Sequence, residues 1–174
     1  LPTKGIVIIY TGDGKGKTTA ALGQAIRAAG HGFKVCIIQF IKGTWLTGEM
    51  QSLKLFKDKI ELHTTGTGFT WEADTMDDVK SAALKAWELT QKKIADATYD
   101  MVILDELTYL ITHGIVNEKN VLTVINNRPG TQHIVITGRD ATPALIAAAD
   151  LVTEMRLVKH PFAKGVKAGK GIEF

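Results

Sequence analysis

In 174 residues, 45% of them hydrophobic and 22% charged, no apolar run approaches the roughly 20 residues that a membrane-spanning helix needs. A net charge of +3, from 21 Lys and Arg against 18 Asp and Glu, is too mild for a nucleic-acid binder, and a lone cysteine excludes a disulfide scaffold or a thiolate zinc site within one chain. Only Leu1 to Gly5 precede the first apolar strand, too few for a secretory signal, so the expected setting is the reducing cytoplasm, away from membrane and nucleic acid.

Short β-branched apolar runs alternate with helical periodicities along the whole length. That pattern predicts an α/β fold, one domain over 1–174, with a mostly parallel central sheet of about six strands covered on both faces. The first strand is Ile6 to Tyr10, and Thr18 to Ala29 reads as a helix that stops at Gly30. Strands follow at Val35 to Phe40 and Ile60 to Thr64. A long helix is expected from Asp74 to Ala97, because Val79, Ala83, Ala86, Trp87, Thr90 and Ile94 recur on one face while Lys80, Lys85, Glu88, Lys92 and Lys93 face out. Met101 to Leu104 is the next strand, with helical stretches at Leu107 to His113 and Glu118 to Asn126. Ile134 to Thr137, a helix over Pro143 to Ala149 and a strand over Val152 to Leu157 complete the pattern. Near the end, Lys159, His160, Lys164, Lys167 and Lys170 form either a solvated basic tail or one side of a site for a phosphate-bearing ligand.

The chemistry is concentrated after the first strand, in Thr11-Gly12-Asp13-Gly14-Lys15-Gly16-Lys17-Thr18-Thr19. Glycines at 12, 14 and 16 let successive backbone amides turn into one concavity, and the helix that starts near Thr18 adds its unpaired amides. Lys17 supplies a point charge to bound phosphates and the Thr18 hydroxyl is a natural ligand for magnesium. The loop departs from the strict phosphate-binding pattern at its first glycine position, where Thr11 stands.

The strand Met101 to Leu104 ends in Asp105-Glu106. Paired acids at a strand end can cap the next helix or hold a metal, and beside a phosphate loop the metal role is favoured, with Glu106 and also Asp105 as candidates. Gly138-Arg139 after the fifth strand brings a guanidinium toward the same sheet edge, where ligands bind in open α/β folds. Cys36 reads as a small buried residue, and the five histidines show no metal-ligand spacing. A nucleoside triphosphate with magnesium follows from these features, but the reaction does not, since phosphate loops serve kinases, motors, switches and transferases.

With the loop stand Gln39-Phe40-Ile41-Lys42-Gly43-Thr44-Trp45, Gly68-Phe69-Thr70-Trp71, Leu104-Asp105-Glu106-Leu107-Thr108-Tyr109, Ile136-Thr137-Gly138-Arg139 and Val158-Lys159-His160. Together these segments resemble the ATP:corrinoid adenosyltransferases of the CobA/BtuR type over nearly the whole chain. The resemblance implies a three-layer RecA-like fold and transfer of the 5′-deoxyadenosyl group of ATP to the cobalt of a reduced corrinoid, such as cobalamin, with release of triphosphate. It implies nucleotide contacts from Gly12, Asp13, Gly14, Lys15, Gly16, Lys17, Thr18 and Thr19, with Arg27 and Arg139 on the leaving group and magnesium on Thr18 and Glu106. Phe69 and Trp71, which by themselves read as packing anchors, are implied to line the corrinoid and displace the lower axial ligand of its cobalt, easing reduction. Trp45 reads equally as a packing residue or a wall of the site.

The family also implies a homodimer and a flavodoxin-like or other flavoprotein reductant. Its members commonly carry an N-terminal extension over the partner's corrinoid site, whereas this sequence begins almost at the first strand. Ala168-Gly169-Lys170-Gly171 and Phe174 stand where a Gln-containing stretch and a Tyr are more usual. Two other functions fit the loop alone: a small-molecule kinase, against which the lack of an arginine-rich lid speaks, and a nucleotide-dependent corrinoid-binding module.

Overall fold

The structure, a computed structural model, describes residues 4–41, 47–65 and 76–173, with side chains from residue 78 onward in the last stretch. Phe69, Trp71 and Trp45 lie outside the described residues, as does the expected helix start at Asp74. In chain order the elements are Val7–Thr11 (β1), Lys17–Gly30 (α1), Val35–Gln39 (β2), Gly48–Leu53 (α2), Ile60–Thr64 (β3) and Met76–Ala95 (α3). They continue with Met101–Asp105 (β4), Leu107–Thr112 (α4), Glu118–Asn126 (α5), His133–Thr137 (β5), Pro143–Ala148 (α6) and Leu151–Glu154 (β6). Among the described residues no helix is long and apolar enough to cross a membrane.

The six strands form one sheet in the order β3-β2-β4-β5-β1-β6, every pair parallel. Successive strand residues face opposite sides, so the sheet needs two covers. On one face Val7, Ile9, Ile38, Val102, Leu104 and Ile136 pack against Trp87 and Ile94 of α3 and Val121 and Ile125 of α5. On the other, Ile8, Val35, Ile37, Ile103 and Val135 pack against Ala21, Ala25, Ala28 and Ala29 of α1. Each fully buried Ile or Leu contributes about 1.5–3 kcal/mol. The short alanine side chains hold α1 close to the sheet, which sets its first turn at the carboxyl ends of the strands.

Two elements differ from expectation. The short helix α2 and the 3-10 turn Lys54–Phe56 behind it had no visible period, because Leu53 is the one buried side chain in the pair. The last strand runs Leu151–Glu154 and not to Leu157. It pairs with β1 from Ile8↔Leu151 to Thr11↔Glu154, and Met155 just beyond it donates from its N–H to Thr11 O at 2.8 Å and accepts a hydrogen bond from Gly14 N at 2.6 Å. All four residues of β6 are exposed, as befits an edge strand, so the expected cover on both faces stops short of it.

The strand order has one consequence for chemistry. Neighbours β2, β4, β5 and β1 end in Gln39, Asp105, Thr137 and Thr11, which places four polar residues in a row at the carboxyl edge. All four are buried.

Candidate functional site

The loop between β1 and α1 curls against Met155. Gly12 and Gly16 take φ of 92° and 116°, conformations that L side chains rarely adopt, and a Cβ on Gly12 or Gly14 would lie 2.6 Å from the Met155 carbonyl oxygen. Lys17 is 7% exposed and its Nζ donates to the carbonyls of Gly12 at 2.6 Å and Gly14 at 2.9 Å. Burial is the main influence on this ammonium and lowers its pKa; Glu106 opposes that shift and Arg139 adds to it. A desolvated cation clasped by neutral carbonyls gains strongly from an anion delivered beside it.

Asp105, 2% exposed, anchors the second half of the site. Its Oδ1 accepts from Thr18 Oγ1 at 2.9 Å and from Thr137 Oγ1 at 2.7 Å, while Oδ2 accepts from Gln39 Nε2 at 3.1 Å. Thr137 in turn accepts from the Glu106 backbone N–H at 2.9 Å, so one hydroxyl pins both acids. Glu106 sits in the left-handed region at φ 63°, ψ 28°, directly before α4, and it lines the cleft beside the loop. Non-glycine residues hold such a conformation where their surroundings impose it, and such positions cluster at functional sites.

The cleft has a volume of about 660 Å³. Its floor is the loop and the first turns of α1, including Lys15, Lys17, Thr18 and Thr19; one side is α2 and the other is Gly171 to Glu173. Asp13 is exposed on the loop and its charge reaches Lys17. Arg139 follows Gly138, whose φ is 140° and whose missing Cβ would overlap Thr108 Oγ1, so only glycine lets the chain turn there.

Arg27 corrects the expectation. It lies ten residues along α1 from Lys17, about 15 Å at the helical rise. There it is exposed and lines a small hollow with Ile6, His31 and His133 at the opposite edge of the sheet. Within one chain it does not reach the phosphate loop. Gln39 and Thr137, by contrast, were not expected to serve the site. The available signal was a polar residue closing an otherwise apolar strand.

A second polar cluster forms where no sequence spacing announced it. Cys36 of β2 pairs in register with Glu61 of β3, and His63 follows on the same face, so the three ligand-type atoms lie within 4.8 Å of one another. Glu61 is already engaged: Lys93 Nζ donates to its two oxygens at 2.9 and 3.0 Å, the Tyr99 hydroxyl donates to it, and His63 Nε2 lies 2.7 Å away. Burial pushes the Cys36 thiol up to about 12, which keeps it neutral.

Comparison with known proteins separates the reactions that a phosphate loop permits. Residues 3–174 match the family described as ATP:corrinoid adenosyltransferase BtuR/CobO/CobP. The chain belongs to that family. It is 44% identical over 171 residues to the corrinoid adenosyltransferase of Pseudomonas aeruginosa, covering 98% of this chain and 84% of that one. The corrinoid adenosyltransferase CobA of Salmonella typhimurium is likewise 44% identical, with 98% and 86% covered. The flagellar accessory protein FlaH of Methanocaldococcus jannaschii shares the fold, at a TM-score of 0.58 and 14% identity, with 88% of this chain and 72% of FlaH covered. The chain is therefore an enzyme of ATP-dependent corrinoid adenosylation, and its α/β architecture is shared with FlaH.

Proposed function

We propose that the cleft holds ATP with its polyphosphate in the loop and its ribose C5′ turned outward to a corrinoid. Cobalt(I) then attacks C5′, a cobalt–carbon bond forms, the C5′–O bond breaks, and its electron pair departs with inorganic triphosphate. The observation that carries this reading is the Thr18–Asp105 hydrogen bond at the mouth of a loop whose Lys17 is buried, in a chain of the adenosyltransferase family. Because the whole polyphosphate is the leaving group, donors fixed before reaction act on the charge that develops as the C5′–O bond stretches.

In this reading phosphate oxygens replace the Gly12 and Gly14 carbonyls on Lys17, the loop amides, Lys15 and Thr19 surround the same charge, and Arg139, whose charge already reaches Lys17, adds to them. Asp13 at the loop tip completes the nucleotide contacts. Thr18 gives its only hydroxyl proton to Asp105, which leaves its lone pairs for a cation, and Glu106 offers a carboxylate along the same cleft. This donor set is all oxygen and fits magnesium, with Thr18 and Glu106 as ligands and Asp105 as the group that orients Thr18. Bound there, magnesium would neutralise part of the polyphosphate charge.

Phe69 and Trp71 are assigned to the corrinoid face on family membership. We extend the reading to a cytoplasmic homodimer served by a flavoprotein electron donor. Exposed Leu151 and Val152 on the edge strand β6 suit cover by a second copy, a free buried thiol suits a reducing compartment, and a cobalt(I) nucleophile requires a strong reductant.

Single-turnover analysis with ATP, magnesium and a chemically reduced corrinoid tests the reaction. The expected products are the alkyl-cobalt spectrum and triphosphate in equal amounts; ADP or orthophosphate without alkyl-cobalt would establish the kinase or binding-module reading instead. Trp71→Ala should impair turnover from cobalt(II) far more than from cobalt(I), and equal losses would remove its reductive role.

A further inference from the structure

Resting on the phosphate-site reading above, we propose that Glu173 is an internal competitor of the polyphosphate, closing the carboxyl-terminal segment over the cleft through Lys15 until the triphosphate chain displaces it. Lys15 belongs to the phosphate loop and Glu173 stands 158 residues further along, yet Glu173 Oε2 accepts a hydrogen bond from Lys15 Nζ. Gly171, Ile172 and Glu173 form one wall of the cleft whose floor is Lys15, Lys17 and Thr18. A carboxylate therefore sits on an ammonium that a polyanion in the loop would also claim.

Little else ties this wall down. Among the described residues, the hydrogen bonds of Leu157 to Glu173 close within the segment, as from Val166 N to Pro161 O and Glu173 N to Gly169 O, except the one from Lys15. Leu157, Val158, Phe162, Val166 and Ile172 are exposed, so the segment contributes no side chain to the core and can swing without a packing loss. The Lys15 and Glu173 side chains keep 41% and 23% exposure, and a pair so placed is weak enough to exchange. A polyphosphate brings several negative charges and is held at once by Lys17 and the loop amides, so it wins Lys15. When triphosphate dissociates, the tethered carboxylate returns at high effective concentration and opposes rebinding. Glu173 would thus set the affinity for the leaving group from both sides of the reaction.

Inorganic triphosphate with magnesium is the probe, titrated calorimetrically into the full chain and its Glu173→Gln and Glu173→Asp variants. Glu173→Gln should bind it about two- to fivefold more tightly, the range expected for losing a competing exposed ion pair, and Glu173→Asp should resemble the parent. Trypsin supplies a second readout: triphosphate should speed cleavage after Lys164, Lys167 and Lys170 in the parent, while Glu173→Gln should be cut at the faster rate with or without it. Weaker binding by Glu173→Gln, or protection of the segment by triphosphate, would overturn the proposal and make Glu173 a supporting wall. No triphosphate binding by the parent chain would remove the phosphate site itself, and the competitor with it.

Discussion

Two carboxylates flank strand β2, Asp105 through the pair Gln39↔Asp105 and Glu61 through Cys36↔Glu61, and they are satisfied in opposite ways. Glu61 is met by a cation, the Lys93 ammonium, which also lies 5.1 Å from the Tyr99 ring centre. Asp105 is met by two hydroxyls and an amide, all neutral, and among the described residues it makes no ion pair. Glu61 lies near the amino end of its strand with its side chain 41% exposed; Asp105 ends its strand at the ligand edge and is buried. The charge of Glu61 is thus consumed in holding the β3 edge to α3. The charge of Asp105 is kept beside the loop, in a place where an uncompensated carboxylate is costly unless function retains it.

The comparison can be broken most sharply at the loop. Lys17→Ala should lower single-turnover adenosyl transfer about 10²–10³-fold, since it removes a preorganised donor from the leaving group. A loss under tenfold would mean that the polyphosphate lies elsewhere. Asp105→Asn keeps the shape and removes the charge, and should cost about 10²-fold in the same assay with a melting temperature close to the parent's. Glu61→Gln is the matched control, expected to leave transfer within about twofold. If the two substitutions had equal effects on transfer, the division between a working and a structural carboxylate would fall.

A smaller effect concerns the backbone that delivers Arg139. Gly138→Ala meets both a φ of 140° and the Thr108 side chain, so it should destabilise the fold by about 2–3 kcal/mol in urea unfolding. A neutral result would show that the strand end relaxes and that Arg139 is not held by this turn.

How much of this was legible in the sequence depends on range. The phosphate loop, the six strands and α1 were readable because each rests on local chemistry: glycines, a lysine and period-2 or period-3.6 apolar runs within a dozen residues. Glu106 was readable as an acid at a strand end, but not its left-handed backbone, whose N–H is bound by Thr137 from 31 residues away. Gln39 and Thr137 were not visible as site residues, because their partner Asp105 is brought to them by the strand order β2-β4-β5. Arg27, which only the family resemblance implied, is carried ten residues along α1 from Lys17, and along a helix that short stretch of sequence becomes distance from the loop. Nor did the basic residues near the end reveal which neighbour reaches the loop, since the contact is made by the acidic Glu173.

The finest test separates the two carboxylates by acid. Burial alone would raise the pKa of Glu61, but the hydrogen bonds from Tyr99 and Lys93 outweigh it and hold the group below its ordinary 4.5. A depressed carboxylate stabilises the fold above pH 4.5, and that contribution disappears as the pH falls through the depressed value, because the folded state must then take up a proton that the unfolded state already holds. Urea midpoints at pH 7, 5 and 3.5 should therefore fall less steeply for Glu61→Gln than for the parent below pH 4.5. The variant should start about 1 kcal/mol lower at pH 7, as expected for an exposed network, and approach the parent in acid. Parallel curves would mean that Lys93 and Tyr99 do not hold Glu61 in solution, and the two carboxylates would then differ by position alone.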